Sequence, residues 1–192
     1  MSVQSKEYRK FYHKYEFLKL ELEDIQQEFN KYDKDWNQRF GKYFNKVVTE
    51  LWVNEETGEI RKDLPEDKKK KIPPSDKLKK LYRKLAPKVH PDKGGDQEEF
   101  NDVKEHYEDK DLLGLLNYAS KYDIEVDIDE DDSELMEQSC SKISNKIKFL
   151  KNSIIWNFYK GKDGMKKHCI MQLEMENKVK IDPKDYEDLL EN

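Results

Sequence analysis

One apolar row near the start of this 192-residue chain narrows its possible folds more than anything else in it. Phe11, Tyr15, Leu18, Leu22, Ile25, Phe29, Tyr32 and Trp36 follow one another at alternating steps of four and three residues. At 3.6 residues per turn, such steps place every member on one side of a helix. Neither proline nor glycine interrupts the row, and charged residues fill most other positions. The spacing predicts a helix about 39 Å long at ~1.5 Å per residue, with a seam that needs a partner.

A second row, Met136, Cys140, Ile143, Ile147, Leu150, Ile154 and Phe158, has nearly the same spacing and spans about 33 Å by the same rise. Two matched seams predict an antiparallel intramolecular coiled coil, with everything between Gly41 and Asp132 mounted at one end. The same seams can also close between two chains, so monomer and coiled-coil dimer both stay open. Cys140 is expected to be an inert core thiol. Hydrophobic residues make up 35% of the chain and charged residues 41%, which suits amphipathic helices better than a large globular core. The expected fold class is all-α: a long antiparallel helical coiled-coil hairpin, a second helical hairpin carried on it, and small C-terminal helices.

The second hairpin is written between Ser75 and Tyr107. Leu78, Leu81, Tyr82, Leu85 and Val89 form one apolar stripe at helical spacing. Lys77, Lys80, Lys84 and Lys88 form a basic stripe on the flank of that helix, widened by Lys79 and Arg83. Pro91 cannot continue the helix, and Gly94-Gly95 lets the chain reverse. Phe100, Val103 and Tyr107 then mark a second helix, with Asp96 as its N-cap and Glu99 as a capping-box partner. The hairpin tip carries one imidazole, His90, and one carboxylate, Asp92.

Tyr82-Arg83-Lys84-Leu85-Ala86, then Lys88, then His90-Pro91-Asp92-Lys93 resembles the second helix and loop of J domains, the DnaJ family. The continuation Lys93-Gly94-Gly95-Asp96 is spelled as in the J domains of DNA-tumour-virus T antigens, and it is compatible with a viral origin. The resemblance covers about a sixth of the chain. It implies a cochaperone that docks on DnaK-type chaperones, the seventy-kilodalton heat-shock class, and speeds their ATP hydrolysis. It gives His90, Pro91 and Asp92 the triggering role at the junction between nucleotide-binding domain and linker. It gives Lys80, Arg83, Lys84, Lys88 and Lys93 the docking role against an acidic face. Pro87 and Val89 depart from the family pattern, and a kink or tightening is expected at Pro87. The family's first helix should lie just upstream, but residues 63–74 cannot form a helix with an apolar face. The run from Lys110 to Tyr122, with apolar residues nearly all round its helix, is expected to be buried and to help take that helix's place.

Other segments say less. Tyr8 to Tyr15 interleaves aromatics with bases, a pattern nucleic acid can stack on, but one that a helix core with solvated flanks also produces. His13 and His106 read as surface residues of their helices. Phe40 to Trp52 reads as a second helix or an extension after Gly41. Residues 54–58 form a turn, with Trp52-Val53 and Glu59-Ile60-Arg61 as a short hairpin around it. Lys68–Lys71 reads as a solvated linker or a nucleic-acid or import signal. From Asp123 to Glu134 there are eight acids and no base, a linker or a screen for the basic middle. Gly161 to Gly164 stops the second seam. Met165 to Leu173 reads as a short helix, and Asp182-Pro183 opens a last turn, with Trp156, Phe158 and Tyr159 anchoring the C-terminal cluster. The expected divisions are 1–53, 54–74, 75–123, 124–134, 135–160 and 161–192.

No phosphate-cradling glycine loop, paired-cysteine metal spacing or nucleophile elbow is present in the sequence, so neither enzyme activity nor a cofactor nor a metal is expected. Cys140 and Cys169 make no disulfide framework. The N-terminus lacks a signal-peptide core, and no apolar run suits a membrane span. These features predict a reduced intracellular setting, cytoplasmic or nuclear. The leading function is J-domain cochaperone, with the coiled coil as a client or adaptor platform. The alternatives are an interaction protein whose J-like hairpin is purely structural, and nucleic-acid binding through Lys68 to Lys93.

Overall fold

The computed structural model describes residues 6–43, 75–129 and 132–190, and all regular structure among them is helical. The expected turn at 54–58, its flanking strands, the Lys68–Lys71 run and the helix past residue 43 lie outside the described residues. In chain order the helices are α1 (Lys6–Phe40), α2 (Asp76–Val89), α3 (Gln97–Glu108), α4 (Leu112–Lys121), α5 (Ser133–Lys151), α6 (Ile154–Lys160) and α7 (Asp163–Asn177). None of the described helices is long and apolar enough to cross a membrane.

The chain divides into two compact units, one of Met1–Leu22 with Ile72–Ile147, the other of Glu23–Lys71 with Lys148–Asn192. Every member of the first seam is buried or half-buried along α1. In the first unit the closest helix approaches are among α2, α3 and α4. On these helices Leu78, Leu81, Leu85, Val89, Val103, Leu112, Leu113, Leu115 and Leu116 are all at most 4% exposed. In the second unit Trp36 and Phe40 of α1 meet Phe158 edge-on, over Cys169, Ile170, Leu173 and Ile181.

Three expectations change here. The second seam is not one helix: it breaks at Asn152-Ser153, where the Ser153 hydroxyl donates to the Leu150 carbonyl at 2.7 Å and accepts the Trp156 N–H at 3.2 Å. A serine able to serve both ends ends one helix and caps the next. In the first unit the Cys140 thiol lies 3.7 Å from the Phe11 carbonyl, and in the second unit Trp36 packs on Phe158. Finally, Met165 to Leu173 belongs to a 15-residue helix, α7, longer than expected. Trp156 stands against Tyr32 at 6.0 Å and is not part of the buried C-terminal cluster.

The C-terminal cap is as the sequence implies. The Asp182 carboxylate accepts the Lys184 N–H at 3.1 Å, and Pro183 opens a short 3-10 turn. Cys140 and Cys169 are both buried, and burial pushes both thiols up, away from the reactive thiolate.

Candidate functional site: the hairpin corner and the basic flank of α2

α2 starts where Ser75 accepts the Leu78 N–H at 3.3 Å. Leu78, Leu81, Leu85 and Val89 then point into the core, and Tyr82 stacks on Tyr107 of α3 with centroids 4.3 Å apart. The cover over this stripe comes from α3 and from α4, which packs on both hairpin helices. The apolar run after the hairpin thus does the burying that the absent upstream helix leaves undone. α2 remains helical through Pro87 and ends two residues later at Val89. Proline at that position frees the carbonyl of Arg83, and both residues lie on the exposed face. Water can satisfy that carbonyl, so no break follows.

The corner is built by backbone bonds to His90. Its carbonyl accepts the N–H groups of Lys93 at 2.9 Å and Gly95 at 3.1 Å, and the Pro91 carbonyl accepts that of Gly94 at 2.9 Å. Pro91 opens the resulting 3-10 turn. Gly94 has φ +85°, a conformation that side-chain-bearing residues avoid. A Cβ on Gly95 would lie 2.3 Å from the carbonyl of Val89, so the chain passes too close for any side chain there. The glycine pair is therefore a packing requirement of this corner.

The His90 ring stands edge-on to Phe100 at 4.9 Å, and its Nδ1 accepts the Asp92 N–H at 3.2 Å. That bond assigns the neutral ring's proton to Nε2 and fixes the ring's orientation. His90 is 40% exposed and Asp92 88%, with the ring Nδ1 and the Asp92 carboxylate 3.8 Å apart. α3 begins at Asp96, whose carboxylate accepts the Glu98 and Glu99 N–H groups at 2.9 and 3.0 Å. Glu99 does not close a capping box. Lys121 and Tyr122 take its carboxylate instead, and the Lys121 hydrogen bond leads in holding it below the usual range.

The structure brings His90, Pro91, Asp92 and Lys93 together at one corner. Lys80, Arg83, Lys84 and Lys88 are exposed along α2 behind it. Among the described residues, Lys80, Arg83, Lys88 and Lys93 form no ion pair. The other end of the basic stripe is occupied. Lys77 pairs with Asp132 and lies 3.7 Å from Asp129, while Lys84 Nζ reaches the Glu125 carbonyl at 3.4 Å. The acidic stretch is thus in part the screen anticipated for it. Its period-two alternation of Ile124, Val126 and Ile128 with acids was the sequence signal that it packs rather than merely links.

Beneath the hairpin lies a polar group that sequence reasoning missed. Asp111 caps α4 through the Gly114 N–H at 3.1 Å, accepts the Tyr15 hydroxyl at 2.5 Å, and faces His106 Nδ1 at 3.0 Å. His106 is therefore half-buried and bonded, not a surface residue. Burial alone would raise the Asp111 carboxyl, but the bonds from His106, Tyr15 and Gly114 outweigh it and hold it down at about 2. Burial, then Asp111, drives the Tyr15 phenol upward. The aspartate before an apolar run was a legible cap, while its Tyr15 partner 96 residues away was not.

Over 33 residues the chain is 61% identical to the chaperone protein dnaJ A6 of Oryza sativa subsp. japonica. The chain carries a J-domain-like stretch. The match spans 17% of this chain and 8% of that protein. No protein-family profile and no solved structure matches the chain.

Proposed function

We propose that this chain is a J-domain cochaperone that docks on a DnaK-type, seventy-kilodalton heat-shock chaperone and stimulates its ATP hydrolysis. The observation that carries the reading is the half-exposed His90 and exposed Asp92, held on a closed hairpin by glycine-dependent backbone bonds. The short, highly identical match to a DnaJ chaperone supports it. Arg83, Lys88 and Lys93, exposed and without ion pairs among the described residues, supply long-range attraction to an acidic face. The corner then biases the chaperone toward the conformer that hydrolyses ATP, and the partner supplies all the covalent chemistry. His90, Pro91 and Asp92 trigger; Lys80, Arg83, Lys84, Lys88 and Lys93 dock. The long helices serve as a client or adaptor platform, and the protein works inside the cell without a cofactor of its own.

Steady-state ATP turnover by the chaperone at increasing concentrations of this protein tests the docking role. K88E is expected to raise the concentration giving half-maximal stimulation and to flatten its dependence on salt. A hairpin that serves only as structure is the competing reading, favoured by the acids already seated on Lys77. It predicts no stimulation, or stimulation untouched by K88E.

A further inference from the structure

Residues 123–129 leave α4 as irregular chain, with Ile124, Val126 and Ile128 half-buried and the acids between them exposed. This strap forms one wall of a groove whose other wall is the flank of α2. Lys77, Lys80 and Lys84 face Glu125, Asp127 and Asp129 across it. The strap is pinned at both ends. Lys84 Nζ reaches the Glu125 carbonyl at 3.4 Å. At the far end Lys77 pairs with Asp132, whose side chain is 5% exposed and which also accepts the Asp129 N–H at 3.0 Å. A charge pair so far withdrawn from water holds its partners more firmly than a surface pair, and removing one member is costly.

We propose that the strap, residues 123–129 with Asp132, is a built-in acidic competitor for the basic flank of α2, which must lift before an acidic protein surface can dock there. The inference rests on the cochaperone reading for the identity of that surface, though not for the competition itself. The chemistry is self-consistent: an extended acidic segment holds Lys84 through the Glu125 carbonyl and walls the groove that Lys80 lines, and both lysines are assigned to docking. If only the lifted fraction binds, apparent affinity falls by that fraction, and loosening the strap restores it.

The test titrates a fluorescein-labelled oligoglutamate peptide into the full chain at low salt, followed by anisotropy. D129N/D132N and, separately, K77Q are expected to bind it about threefold to tenfold more tightly than wild type. K77Q is the sharper arm, because losing a positive charge would by Coulomb attraction alone weaken anion binding. Equal or weaker binding by K77Q overturns the proposal. Should D129N/D132N lose helical circular dichroism, D129N, at an exposed position, replaces it with the same expected direction. The same proteins are then compared in chaperone ATP turnover. Tighter peptide binding with no stimulation by any of them leaves the strap standing and sinks the cochaperone reading. Stimulation with peptide affinity unchanged in both variants does the reverse.

Discussion

Gly95→Ala lowers the stability of the hairpin unit by about 3 kcal/mol, and Gly94→Ala by about 1 kcal/mol. The two neighbours differ for separate physical reasons. At Gly94 the backbone is left-handed but the space around a Cβ is open, so alanine meets only conformational strain. At Gly95 a methyl would fall 2.3 Å from both the carbonyl carbon and the oxygen of Val89. Those are backbone atoms of a wholly buried residue ending α2, and they cannot swing aside as a flexible side chain would. Either Val89 leaves the core or the corner opens, and the Gly95 N–H bond to the His90 carbonyl breaks. Thermal melting should show a drop of about 6–12 °C for Gly95→Ala and a much smaller one for Gly94→Ala. Equal melting of the two variants would mean that the corner is looser than described.

Asp111→Ala should cost about 3–5 kcal/mol, because it strips three partners at once. The buried Tyr15 hydroxyl loses its acceptor, the first turn of α4 loses its cap, and His106 loses its anion. Urea denaturation at neutral pH measures this. The same carboxylate makes an acid-dependent contribution. Its folded value of about 2 lies below the ordinary 3.8, so its stabilisation is fully present above pH 3.8. It is lost as pH falls through about 2, in total about 2 kcal/mol. Asp111→Asn should remove that part of the acid dependence while keeping the Tyr15 bond possible. An unchanged acid profile in Asp111→Asn would show that the network does not hold the carboxylate down.

Periodicity made the helices of this protein legible, while their partners had to come from the structure. The steps between Phe11 and Trp36 name the buried side of α1, and Asp96, Pro91 and the glycine pair name the corner. Apolar residues all round Leu112 to Ala119 announced a buried helix, and α4 does cover the α2 stripe. The second seam divides into two helices because Ser153 can end a helix as readily as begin one. The helix runs on past Pro87 to Val89, and Arg83, whose carbonyl the proline frees, is an exposed residue. The screen on Lys77 was readable as charge, but its geometry depended on the alternating apolar residues of the strap.

The most direct measurement is single-turnover hydrolysis by a DnaK-type chaperone preloaded with ATP, mixed with wild-type protein or with His90→Gln. The substitution keeps a polar side chain at a half-exposed corner, so both proteins should fold alike by circular dichroism. The account predicts saturable acceleration by the wild type and none by His90→Gln. Acceleration of the same size by both, or by neither, would contradict it.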